Sequence, residues 1–241
     1  PCPLPNRPTP QPRAHDLDTR AAPWCVRHKR VDMNIFALDV EALVAAELHC
    51  DKHCVKMILE TAQLLYTHLD AVGVRLPRGL VPYKPTHKHH PCALWLHGGR
   101  AHFFWLLELG LGLCRVYTQR YGKRHQTEKH LRHMATHVRA KSLLKTCNER
   151  VWLKRLARRG IKPEVVRACA AKVCLADPPD GCHFGVACMG DETVPLEVDK
   201  QGNASTIRSY RSLMGHKQAV NFRMTWAKQD EPPLALADWM D

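Results

Sequence analysis

The sequence predicts a mainly α protein, a compact single-domain helical bundle with long loops. Apolar residues recur at three- and four-residue steps through two long segments, Asp51 to Ala71 and Gly99 to Tyr121. Helix stop signals stand where periodic segments end, above all Gly122 and Gly160. Only one short stretch, Asn34 to Ala37, reads as strand or extended chain.

Taken in order, residues 1–32 (PCPLPNRPTPQPRAHDLDTR onward) are rich in proline and lack apolar periodicity. They are expected to form a disordered tail. Folded-protein patterning begins at Met33, a candidate true start, and 33–241 is expected to be one helical domain. Glu41 to Leu48 reads as a helix. Asp51 is expected to cap the next one, which runs to about Ala71. Gly73 to Pro91 reads as a loop broken by Pro77, Pro82, Pro85 and Pro91. After the helix Gly99 to Tyr121 come a strongly basic helix, Gln126 to Cys147, and another, Glu149 to Arg159. Pro163 opens a short helix to about Val173. Ala176 to Gly202 reads as irregular. Asn203 or Ser205 caps a helix to about Met214, and Thr225 to Trp239 reads as a loop with aromatic anchors.

Charge narrows the function. The 241 residues include 36 Lys and Arg against 23 Asp and Glu, a formal net charge of +13. The excess is clustered, most densely from Arg115 to Arg159, which points to a polyanionic partner. No apolar run approaches the roughly 18 residues of a membrane span, so a soluble intracellular protein, cytoplasmic or nuclear, is expected. The 11 cysteines form no regularly spaced framework, which suits a reducing compartment. The 16 histidines raise a metal question, but the Cys-x-x-Cys pairs of a zinc site are absent; no metal and no cofactor are expected.

The stretch HCDKHCVKMILETAQLL carries the most chemistry. Val55, Ile58, Leu59, Ala62, Leu65 and Leu69 share a helical face and are expected to be buried. His53, Lys56, Glu60, Gln63 and Thr67 form a second line at the same steps. A histidine, an amine and a carboxylate within reach of one substrate are candidate catalytic groups. His53 would position or protonate a group, Glu60 would act as base or stabilise a cation, and Lys56 would contact phosphate or support a carboxylate.

The loop PYKPTHKHHPCALW holds His87, His89 and His90 among stiffening prolines. Phe103, Phe104, Leu106, Leu107, Leu111 and Cys114 read as core, and Arg115, Tyr117, Arg120, Tyr121, Lys123 and Arg124 as a basic aromatic helix end. Candidate nucleic-acid contacts are Lys52, Gln63, Lys84, His87, His90, Arg120, Lys123, Arg124 and Arg132.

With those residues in view, Asp51-Lys52-His53 followed by Glu60 resembles the Asp-x-His and glutamate arrangement of the phage pyrimidine-dimer DNA glycosylases of endonuclease V type. CDKHCVKMILETAQLL, YKPTHKHHPCALW and YTQRYGKRH are more closely similar to a mostly uncharacterised set of phage and viral relatives of that glycosylase, over about Met33 to Gly122. The likeness continues more weakly through ACMGDE, IRSYRSLM and PPLALADWM. It implies a mainly helical DNA-repair enzyme, a glycosylase and AP lyase, acting on damaged pyrimidines in double-stranded DNA as a monomer. In that family an N-terminal α-amine attacks the sugar C1′ and a glutamate supports the Schiff base. Carried over, Glu60 takes the glutamate's role and His53 the histidine's. Where the family has arginines flanking its glutamate, this chain has Leu59 and Gln63. Two other readings remain at this point. One is a metal-dependent nuclease or phosphohydrolase using His49, Asp51, His53, His87 and His90; the other is a non-catalytic nucleic-acid-binding protein.

Overall fold

The structure, a computed structural model, describes residues 33–140, 154, 157, 158, 160, 161, 206–219 and 224–226. Among these residues it is mainly α, with helices α1 (Ala42–Leu48), α2 (Asp51–Ala71), α3 (Pro91–Leu96), α4 (Arg100–Tyr121), α5 (Glu128–Ala140) and α6 (Thr206–Ala219) and no strand. The expected tail 1–32, the helix from Pro163 and the irregular stretch 176–202 lie outside the described residues, as does the chain beyond Trp226. Of the helix expected from Glu149, Lys154, Ala157 and Arg158 are helical, and Gly160 follows with φ 78°.

Helix α4 is the spine. It packs along both α1 and α2, and α3 and α5 close against it. Its middle explains the closeness: a β-carbon built on Gly110 would stand 2.7 Å from Thr61 Cγ2 on α2, and one on Gly112 would stand 2.9 Å from Ala46 Cβ on α1. Phe103, Leu106, Leu107, Leu109 and Leu113 are fully buried, while Phe104 and Leu111 pack at its edge. The helix stops where Gly122 takes a left-handed φ of 68° and donates its N–H to Thr118 O at 2.8 Å.

The extended start, Met33 to Leu38, is core rather than strand: Met33, Ile35, Phe36, Ala37 and Leu38 are all buried. Helix α3 falls inside a segment that reads as loop from its prolines. His90 caps it, Nδ1 accepting from Cys92 N at 3.2 Å, and Pro91 occupies the first turn, where its missing N–H costs nothing. Cys92 to Leu96 are buried, so tertiary burial rather than periodicity makes this helix.

Two expectations for α2 change. The cap is Cys50, not Asp51, and it makes no side-chain cap bond. Asp51 is the first helical residue; its N–H is satisfied by Thr225 O at 2.8 Å. Val55 and Leu59, expected in the core, are 40% and 39% exposed. The buried face is turned towards Cys54, Met57, Ile58, Thr61, Leu64, Leu65 and His68 because α4 covers that side.

Candidate functional site

His53, Glu60 and Thr67 lie at seven-residue steps, two turns each, so they form one line along α2. All three are buried. The line is therefore a polar seam under cover, not an open surface stripe.

Its cover is the extended start of the chain. Asn34 donates its backbone N–H to Glu60 Oε2 at 2.9 Å, and Lys56 Nζ sits 3.1 Å from Glu60 Oε1. Glu60 is thus held on both oxygens, with its own side chain 6% exposed and that of Lys56 59% exposed. The Asn34 side chain knits three segments: Oδ1 accepts from Ile35 N at 2.8 Å and from Tyr210 Oη at 2.7 Å, and Cys92 Sγ stands 3.8 Å away. Phe36 stacks on His53 with ring centroids 4.7 Å apart and meets Tyr210 edge-on at 5.4 Å. Lys217 Nζ, on α6, lies 5.3 Å from the Phe36 centroid.

Burial pushes the His53 pKa down to about 3, helped by His49, Lys217, Lys56 and Lys52. His53 is therefore a neutral imidazole at physiological pH. It can orient a group by hydrogen bonding, but it holds no spare proton to deliver as an imidazolium. The expected role in positioning fits this environment; the expected role in protonation does not. His49, one turn earlier, is fully buried and pushed to about 4 by the same cause, its Nδ1–H donating to Ala45 O at 2.6 Å.

The sequence-predicted nucleic-acid contacts divide. Lys52, Lys84, His87, Lys123, Arg124 and Arg132 are exposed. Gln63 is half-buried, its carbonyl accepting from Thr67 Oγ1 at 2.8 Å. His90 is buried as the α3 cap. Arg120 is turned inwards: its guanidinium donates to His49 O at 2.7 Å, to Glu47 O at 3.1 Å and to Asp51 Oδ1 at 3.2 Å. It satisfies the last carbonyls of α1 and ties them to the start of α2. Its geometry is that of a structural clamp, not of a phosphate contact. Asp51 Oδ2 accepts in turn from Thr225 Oγ1 at 2.9 Å, and Trp226 Nε1 donates to Leu48 O at 3.3 Å, which makes Trp226 an aromatic anchor.

The histidine loop docks on the far end of the seam. The Thr86 N–H donates to Thr67 Oγ1 at 3.0 Å, and Thr86 O lies 3.1 Å from that hydroxyl, whose one proton is shared with Gln63 O. His87 is the one described non-glycine residue with positive φ, 51°, and its exposed ring meets Thr86 Oγ1 at 2.6 Å. Holding a histidine in that region costs of order 1 kcal/mol. At the start of α5 and in the turn before it, Arg124, His125, Gln126, Glu128, Lys129 and Arg132 line an open pocket of about 230 Å³.

His90 joins the seam through the neighbouring Cys92 and Asn34. Among the described residues no three His, Cys, Asp or Glu side chains are placed to hold a metal ion. Asp51 is engaged by Arg120 and Thr225, and His49 Nδ1 by Ala45. The sequence did not point to Asn34, Phe36, Tyr210 or Lys217 as parts of the site. Only the clustering of polar and aromatic residues in MNIF and in IRSYRSLMGHK hinted at them. No family model matches the chain, and comparison with curated proteins and with solved structures finds no match.

Proposed function

We propose that this chain is a DNA-repair enzyme, a glycosylase and AP lyase acting on damaged pyrimidines in double-stranded DNA, with Glu60 at the centre of its chemistry. The observation that carries the reading is the buried Glu60 carboxylate, flanked by Lys56 Nζ at 3.1 Å and by the Asn34 nitrogen at 2.9 Å. An amine beside a desolvated carboxylate is the minimum for imine chemistry at a sugar. Glu60 takes the proton that the amine must lose. The amine then bonds to C1′ as the C1′–base bond breaks, and its second proton goes to the departing base. Glu60 returns the first proton to O4′ as the C1′–O4′ bond opens, and the carboxylate stabilises the cationic imine that follows. Loss of a C2′ proton expels the 3′ phosphate oxygen and nicks the strand. His53, neutral and stacked on Phe36, orients the sugar or base. The exposed Lys52, Lys84, Lys123, Arg124 and Arg132 supply the phosphate contacts.

Lys56 is the side-chain amine at hand. The Asn34 nitrogen is a peptide nitrogen while Met33 precedes it, and becomes an α-amine only after removal of everything before it. Borohydride reduction on duplexes carrying an abasic site or a pyrimidine dimer tests the proposal, with peptide mapping of the adduct. A covalent adduct is expected, reduced by about two orders of magnitude in Glu60→Gln. Mapping to Lys56 or to an Asn34 terminus names the amine. Duplex binding with no adduct on either substrate would reject the enzyme.

A further inference from the structure

The loop between α2 and α3 carries a feature that the chemistry at Glu60 does not use. Val81 is 86% exposed, by far the most exposed large hydrophobic residue described. A lone exposed apolar residue is ordinary; its mounting here is not. On one side His133 on α5 donates Nε2–H to Pro77 O at 3.2 Å. On the other, Tyr83 stacks on His130 at 4.4 Å, meets Tyr66 edge-on at 5.8 Å and hydrogen-bonds Thr127 Oγ1 at 3.1 Å. Tyr66 Oη and His130 Nδ1 close the cluster at 2.9 Å. Residues 78–82, Arg-Gly-Leu-Val-Pro, are therefore a short tip between two fixed points, stiffened by Pro82 and turned at Gly79, whose φ is 156°.

The tip's sequence setting is basic. Segment 71–90 contains no Asp or Glu, and Arg75, Arg78 and Lys84, within six residues of Val81, are exposed; Asp70, just before the segment, pairs with Lys88 at 3.6 Å. The anchors stand on α5 beside the basic pocket and on α2 at Tyr66, about 9 Å along the helix from Glu60 at 1.5 Å per residue. A rigid apolar point flanked along the chain by exposed Arg78 and Lys84 matches one occupant best, the base stack of a duplex whose phosphates engage those cations.

The geometry points to Val81 and Pro82 as a wedge that enters the base stack of duplex DNA and opens it beside the nucleotide presented to Glu60. The inference rests on the DNA reading above and names how the target is exposed. Unstacking costs a few kcal/mol, and the cationic contacts around the tip offset it. Since Val81 buries almost nothing in the protein, its replacement leaves the fold intact, so a weaker response reports on the DNA.

The test is the full chain titrated onto a duplex with 2-aminopurine beside an abasic-site analogue; this base brightens when it unstacks. A severalfold rise is expected with the unaltered chain and with Val81→Leu. Val81→Ser should keep its melting temperature and bind within about threefold, yet give little of the rise. A full rise with Val81→Ser, or tight binding by the unaltered chain with no rise, overturns the wedge and leaves the DNA reading standing. No binding to the duplex even at low salt overturns both.

Discussion

Along α2 and just before it, histidines and a carboxylate are withdrawn from water: His49, His53, Glu60 and His68 are at most 7% exposed. In the histidine loop and on α5, His87, His89, Lys129 and Arg132 face solvent. The two regions share residue types and differ in what the protein demands of them. In the seam each polar atom needs a partner inside the fold, so its residues carry stability as well as chemistry. On the basic face water satisfies most of the groups, and they carry long-range attraction with little effect on stability; Arg132, which donates Nε–H to the buried Glu128 carboxylate at 2.6 Å, is an exception. Histidine count and charge cluster alone do not separate the two; burial does.

Acid breaks the comparison most strongly. Burial holds His49 near 4, His53 near 3 and His97, the residue that ends α3 and lies 2.9 Å from His68 ring to ring at Nδ1, near 4, and pushes His68 well below its ordinary value. The unfolded chain binds these protons from about pH 6.5 downwards and the folded chain does not. Stability is therefore full above that pH and falls as pH drops towards the folded values. The decrease is about 1–2 kcal/mol per buried histidine at pH 5. Urea unfolding from pH 7.5 to 5 should show a steep decline; a flat profile would mean that the seam histidines are solvated.

Arg120→Ala comes next. It leaves the carbonyls of Glu47 and His49 and the Asp51 carboxylate without their shared donor, at a cost of about 3–5 kcal/mol. Arg120→Lys should not restore it, since one ammonium cannot reach three acceptors in that geometry. Thermal melts of both variants decide this. If Arg120→Ala instead kept its stability and bound DNA more weakly, Arg120 would belong to the basic face.

The smallest expected effect on stability is on that face. Replacing Lys123 and Arg124 together with alanine should change stability by less than about 1 kcal/mol. The same variant should flatten the salt dependence of duplex binding by about 0.9 in log–log slope for each phosphate these side chains neutralise. An unchanged slope would place the phosphate path elsewhere on the molecule.

How much of this was legible follows the same division. The spans of α2 and α4 read directly, because 21 and 22 residues of unbroken periodicity and Gly122 leave little freedom. The polar line at Glu60 also read directly, since it depends only on spacing within one helix. Its burial did not: Val55 and Leu59 are as apolar as Ile58, and only the position of α4 decides which of them is covered. Helix α3 was hidden by the prolines that surround it. Tyr210 reaches Asn34 across 176 positions and Arg120 reaches Glu47 across 73, and no local pattern encodes such pairings.

The bare middle of α4 has a consequence for heredity. Gly110 and Gly112 carry no chemistry, yet they set how closely α4 approaches the helix that bears Glu60 and the one whose last carbonyls hold Arg120. Every single-base change that replaces a glycine with another amino acid adds a β-carbon. At these two codons that means 2.7 Å and 2.9 Å to atoms already in place. Among descendants of this gene, the two silent positions should be as fixed as the reactive one.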